Sequence, residues 1–160
     1  MPEKAQEEII RNGWRLRAFR FFLLRFNELI ENVERLQLGN PSGFHDHPET
    51  KLLLSVFNAI NDRVPADPNH SDHRCATLEN GGRWRRVKKG MPNRYRLFFQ
   101  FSSDTKTIVY VWLNDELTLR KEGAKTDVYR VFLKHTSSGR IPASFEQLLR
   151  ESEPVPKAGN

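Results

Sequence analysis

Hydrophobic and polar residues change period several times along this chain, and each change marks an element. Trp14, Leu16 and Ala18 alternate with polar neighbours, the period-two pattern of a short strand. Phe19, Phe22, Leu23, Phe26, Leu29, Ile30, Val33 and Leu36 then recur at spacings of three and four. That predicts an amphipathic helix, which Gly39 and Pro41 stop. A second helix is predicted over 49–63, with Leu52, Leu53, Val56, Phe57 and Ile60 on its buried face, Pro48 in its first turn and Pro65 at its end. Residues 66–82, rich in Pro, Asn, Asp, His and Gly, read as a long loop.

Three strands are predicted next, over 83–88, 94–101 and 107–113. The third alternates Ile108, Tyr110 and Trp112 with Val109, Val111 and Leu113. Both faces are apolar, as in a strand covered on both sides. The turn at 102–106 makes the second and third strands a hairpin. Helical spacing returns near 116–121, 126–136 and 144–150. The layout predicts an α+β fold, a small antiparallel sheet flanked by helices.

Composition bounds the class. At 160 residues one domain is expected, and 38% apolar residues with 11 Phe and 3 Trp suffice for a core. The single Cys75 excludes an internal disulfide framework and fits a reducing compartment. The first 11 residues are polar and of mixed charge, unlike a signal peptide, and no apolar run approaches the roughly 20 residues of a membrane span. The expectation is a cytoplasmic protein: an N-terminal extension at 1–11, a domain at 12–150 and a flexible C-terminal tail at 151–160.

Charge is the feature that the element pattern does not explain. The window 83–96 holds seven of the 26 basic residues and none of the 20 acidic ones, so the excess of positive charge sits in one place. Strand alternation puts Trp84, Arg86 and Lys88 on one face of their strand, and Arg94, Arg96 and Phe98 on one face of the next. Like charges facing each other across a ladder destabilise a sheet. Four of them without carboxylates point to a polyanion, with Trp84 and Phe98 expected to stack on bases. Nucleic-acid binding without catalysis remains the alternative at this point.

Other constellations carry less. His45-Asp46-His47 and His70-Ser71-Asp72-His73-Arg74-Cys75 hold metal-ligand residue types, but their spacings match no zinc pattern and they read as surface loops. Asp115, Glu116 and Glu122 are too few for a two-metal nuclease site. Neither a phosphate-binding glycine loop nor a nucleophile elbow is present. No metal and no cofactor are expected.

Longer strings carry a family likeness. Trp84-Arg85-Arg86-Val87-Lys88, Asn93-Arg94-Tyr95-Arg96-Leu97-Phe98-Phe99 and Trp112-Leu113-Asn114-Asp115-Glu116 resemble the YhaV toxin family of PrlF–YhaV type II toxin–antitoxin systems, among the RelE-like toxins. The likeness continues through Thr118-Leu119-Arg120 and Lys125-Thr126-Asp127-Val128-Tyr129 and covers nearly the whole chain. It implies a RelE-like toxin fold and a metal-independent endoribonuclease that cleaves messenger RNA on ribosomes. It also implies a PrlF-type antitoxin as partner and operator DNA bound through the toxin–antitoxin complex.

Carried over by position, the resemblance implies a catalytic set of Arg86, Lys88, Arg96, Arg120 and Tyr129. Trp84, Arg85, Arg94, Tyr95 and Phe98 are expected to bind RNA. Arg85 departs from the small polar residue the family has there, and reads as surface variation. Attack by a 2′-hydroxyl requires a base, charge stabilisation at phosphorus and an acid for the leaving oxygen. Arg86 and Arg96, always charged and bidentate, suit phosphate clamping. Lys88, crowded by like charges, is expected to have a lowered pKa and to act as base or acid. Tyr129 is expected to orient the hydroxyl, share proton transfer or stack on a base.

Overall fold

The structure, a computed structural model, describes residues 7–75, 78 and 83–157. A hairpin of β1 (Ile9–Arg11) and β2 (Trp14–Phe19) opens the chain and turns at Asn12 and Gly13, both at positive φ. It is followed by α1 (Arg20–Gly39) and α2 (Pro48–Asn58). Next come β3 (Arg85–Val87), β4 (Leu97–Ser102), β5 (Thr107–Leu113), α4 (Val128–Ser137), α5 (Phe145–Arg150) and β6 (Ser152–Pro154); α3 is the single turn Val64–Ala66. The sheet runs β1-β2-β5-β4-β3, with β6 also on β2. Among the described residues only β2 and β5 pair in parallel; the connection between them carries α1 and α2, besides β3 and β4.

Each face of the sheet is covered, as the doubly apolar β5 requires. On one, Phe22, Phe26 and Leu29 of α1 and Leu52 and Val56 of α2 pack on Leu16, Leu97, Phe99 and Tyr110. On the other, Val128 and Phe132 of α4 and Leu148 of α5 pack on Phe98, Val109 and Trp112. Phe19, counted from spacing into the α1 stripe, ends β2 and belongs to this second core.

Strict alternation along β5 does not hold. Phe98 pairs with Trp112 but Phe99 pairs with Tyr110, so Val111 is an extra residue in the ladder. Such a bulge resets the side-chain period. Trp112 therefore joins Val109 and Val111, while Leu113 joins Ile108 and Tyr110.

Pro65 does not end the second helix. Beyond Asn58 the backbone widens into a π turn, Ala59–Arg63, where the Val64 amide bonds the Ala59 carbonyl. In that register Pro65 would serve the Ile60 carbonyl, and it has no N–H. The fully buried Tyr110 hydroxyl donates to the Ile60 carbonyl instead, at 2.8 Å.

Three further expectations change. Residues 116–121 form no helix: Asp115 Oδ1 accepts from the Leu117 amide at 3.0 Å and the Thr118 hydroxyl at 2.9 Å, local bonds that compete with a helical ladder. The expected tail contains β6, and Arg17 donates to Ser152 Oγ at 2.7 Å while Val155 is buried. The expected extension contains β1. Of the expected long loop, 76, 77 and 79–82 lie outside the described residues, as do 1–6 and 158–160 at the ends.

Candidate active site

Tyr129 lies in the first turn of α4, where Asp127 caps the helix by accepting from the Tyr129 amide at 3.1 Å. Its ring meets Phe98 edge-on, at 5.8 Å between centroids. That places its hydroxyl at the β3–β4 margin of the sheet, where two arginines converge on it. Arg86 Nε donates to the Tyr129 hydroxyl at 3.0 Å and Arg96 Nε at 3.2 Å.

A tyrosine hydroxyl has two lone pairs and one proton. Both lone pairs of Tyr129 are engaged by arginines, so what it can offer a ligand is its proton. Arg86 also donates to the Asp72 carbonyl at 2.8 Å, and Arg96 to the Tyr95 carbonyl at 2.8 Å. Among the described residues no carboxylate pairs with either guanidinium, although Arg96 is only 7% exposed. Two partly desolvated cations without an acid suit an anion placed between them.

Arg120 completes the group differently. Its guanidinium carbon stands 4.9 Å from the Tyr129 ring centre, and Nη1 pairs with Asp127 Oδ1 at 3.0 Å. The same oxygen accepts from the Lys121 amide at 2.6 Å. Asp127 therefore fixes both the start of α4 and the approach of Arg120 to the ring. Asn114, fully buried, ties the remaining strands: Oδ1 accepts from the Arg96 amide at 2.8 Å, and Nδ2 donates to the Arg94 and Thr118 carbonyls at 3.1 and 2.9 Å.

The other expected site residues lie elsewhere. Trp84 and Phe98 are core residues. Phe98 stacks on Phe132 at 4.1 Å and 9°, and Trp84 meets the same ring edge-on at 4.8 Å, so neither presents a face to a base. Arg94 precedes β4 in a turn at φ 73°, exposed, and contributes its carbonyl to Asn114 and to the Arg120 amide. Tyr95 packs on the α1/α2 side beside Met91 and Pro92, where burial pushes its hydroxyl pKa up. Arg85, half-buried, lies over the Phe101 ring at 5.6 Å, and burial beside Arg74 lowers its pKa. Lys88 follows the end of β3, so alternation no longer binds it to the Arg86 face. It lines a separate cleft with Val87 and His73.

Asn114 and Asp127 have no role in the sequence reading. Asp127, immediately before a helical pattern, carries a capping signal. Nothing local marks Asn114, whose partners lie up to 20 residues away. Among the described residues, no group of three or more His, Cys, Asp or Glu is placed to hold a metal ion, and no helix is long and apolar enough to cross a membrane.

The family model described as a toxin with endonuclease activity, of toxin-antitoxin system, matches residues 16–153. The chain belongs to the YhaV toxin family. It is 39% identical over 145 residues to the ribonuclease toxin YhaV of Escherichia coli strain K12, covering 89% of this chain and 94% of that one. The toxin YhaV of Escherichia coli O157:H7 matches to the same extent. No solved structure matches significantly. An endonuclease toxin of a toxin–antitoxin system, which the sequence strings implied, is what the YhaV family is, and the sheet flanked by helices is the α+β fold that the sequence predicts.

Proposed function

We propose that this YhaV-family toxin cleaves RNA by attack of a ribose 2′-hydroxyl on the adjacent phosphate, at the site built on Tyr129. One observation carries the reading: the Tyr129 hydroxyl accepts from Arg86 and Arg96 together, leaving its proton for a ligand between two cations. The 2′-hydroxyl loses its proton to solvent water as its oxygen bonds to phosphorus, and Arg86 and Arg96 stabilise the negative charge that builds on the phosphoryl oxygens. As the bond to the 5′-oxygen breaks, Tyr129 supplies the proton that oxygen takes up, and its phenolate then regains one from solvent. The products are a 2′,3′-cyclic phosphate and a 5′-hydroxyl end. Arg120, held by Asp127, adds positive charge over the ring. Lys88, outside this cluster, binds the RNA backbone.

The ribonuclease named in the Escherichia coli relative supports RNA as substrate. The family resemblance supports the finer proposals: messenger RNA on ribosomes, no metal requirement, a PrlF-type antitoxin, repression at operator DNA through the complex, and action in the cytoplasm. Primer extension on a translated message tests the chemistry. Wild-type protein is expected to cut in EDTA, and Arg86→Ala to lose at least ~100-fold in rate. Intact cutting by Arg86→Ala would refute the assignment. Bound but uncut RNA with the wild-type protein would favour a regulator without catalysis.

A further inference from the structure

A second cleft, of about 280 Å³, lies on the α2 side of the sheet at the β3 edge. Arg63 from the π turn, Lys88 and Lys89 beyond β3, His73 of the 3₁₀ turn Ser71–His73 and His70, which caps that turn, line it, together with Asp67 and Asp72. Its charges are unevenly matched. Lys89 pairs with Asp72 at 3.1 Å and holds that carboxyl below its usual range. Arg63 donates to the Ser55 carbonyl at 3.3 Å and to the Lys89 carbonyl, and no described carboxylate pairs with it or with Lys88.

His73 is the unusual member. It is buried with its ring edge-on to Phe99 at 5.4 Å, and its Nδ1 lies 3.3 Å from the Pro68 carbonyl. A carbonyl only accepts, so Nδ1 carries the proton and Nε2 of the neutral ring is an acceptor. No described residue bonds Nε2. Burial, with His70 nearby, lowers the pKa of His73 against the opposing pull of the Pro68 carbonyl, Asp72 and Asp67. The ring is thereby kept in its neutral, accepting form.

The cleft is also joined to the Tyr129 site. Arg86 donates from Nε to Tyr129 and from Nη1 to the carbonyl of Asp72, next to His73. Arg74 bridges Arg85, so this loop runs along the outer edge of β3, the last strand of the sheet. A single RNA strand leaving Tyr129 can turn that edge.

We propose that this cleft is a second ribonucleotide subsite, in which Lys88 and Arg63 hold a backbone phosphate and His73 Nε2 accepts a hydrogen bond from a ribose 2′-hydroxyl. It rests on the reading of Tyr129 as the cleavage site. Cations alone would equally suit an acidic peptide of the antitoxin. The acceptor favours RNA, because each ribose carries a hydroxyl donor beside the backbone phosphate, whereas an acidic side chain brings no proton and a peptide would need a separate N–H or O–H placed at Nε2. The volume is close to the lower bound of small-molecule pockets, about 300 Å³, so one nucleotide is the natural occupant.

Binding of a short RNA with 2′-fluoro only at the ribose to be cleaved, so that it cannot be cut there while its other riboses keep their hydroxyls, is measured over a salt series. Lys88→Met is expected to weaken binding several-fold and to reduce the slope of log K against log salt by about 0.7, one single-strand phosphate contact. On cleavable RNA, His73→Phe, which keeps a ring against Phe99, is expected to raise KM about fivefold with kcat retained. If that buried substitution lowers the melting temperature, the exposed Lys88→Met decides the matter. An unchanged salt slope for Lys88→Met, with Arg86→Ala inactive, overturns the subsite and leaves the cleavage site standing. An Arg86→Ala protein that still cuts overturns both. Unchanged RNA binding with lost antitoxin binding assigns the cleft to the antitoxin and overturns the proposal.

Discussion

Asn114 holds Arg96 by its backbone: Oδ1 accepts from the Arg96 amide at 2.8 Å inside a fully buried side chain. Its Nδ2 binds the carbonyls of Arg94 and Thr118, so one residue sets the start of β4 against the loop that brings Arg120 to Tyr129. Asn114→Ala removes three hydrogen bonds, at about 1 kcal/mol each, and strands buried partners. Thermal melts are expected to show a loss of about 3 kcal/mol, and RNA cleavage by the remaining folded protein should fall as well. A variant of full stability and full activity would refute this role.

Tyr129→Phe separates proton donation from packing. The ring contact with Phe98 and the stacking of Arg120 remain, while the hydroxyl between Arg86 and Arg96 is lost. Cleavage is expected to fall by about 10²-fold or more, the usual worth of a positioned proton donor, and single-turnover rates measure it. RNA binding should change far less, because both guanidinium groups stay.

Phe98 distinguishes a core from a stacking platform. Its ring lies 4.1 Å from Phe132 and nearly parallel to it. Phe98→Ala should cost about 3–5 kcal/mol in denaturant unfolding. Phe98→Leu, which keeps most of the volume, should leave RNA affinity unchanged. A base-stacking residue would lose about 1–3 kcal/mol of binding on the same change.

Acid should destabilise the fold through two histidines. Burial lowers the pKa of both His73 and His135, the latter wedged between Phe21 and Trp112 with no partner for Nδ1 among the described residues. A folded pKa below the unfolded one means that the unfolded chain takes up the proton first. Their stability contribution is therefore complete above the unfolded value of about 6.5 and is lost as pH falls towards the folded value. Melting temperature against pH measures this, and His135→Phe should flatten the slope.

Deleting residues 152–160 should not behave like trimming a frayed end. It removes β6 from β2, the bonds of Arg17 to Ser152 and the buried Val155. Burial of Val155 alone corresponds to about 1.5–3 kcal/mol. Chemical denaturation that shows no loss would restore the picture of a tail.

Residues 128–137 and 145–150 show how much the chain states locally: each helix has an apolar period and a capping side chain, Asp127 or Ser144, directly before it. The basic window was equally legible, because charge composition needs no fold to be counted. Pro65 shows the limit. A helix stop by every local rule, it is carried through by the hydroxyl of Tyr110, 50 residues from the carbonyl it serves. β1 and β6 are three residues each, too short for a period, and exist because β2 offers them a partner.

The same division runs through the candidate active site. The sequence by itself determined α1, α2, α4 and α5, the β4–β5 hairpin, the concentration of positive charge and, through its ordered strings, the YhaV family. Those properties follow from neighbours along the chain. Only the tertiary structure decided which members of the basic window converge on Tyr129. The end of β3 at Val87 releases Lys88 from strand alternation, and packing beneath Phe132 withdraws Trp84 and Phe98. A hydrogen bond spanning 43 residues brings Arg86 to Tyr129. Convergence on one hydroxyl is a property of distances in space, and residue order along a chain does not contain them.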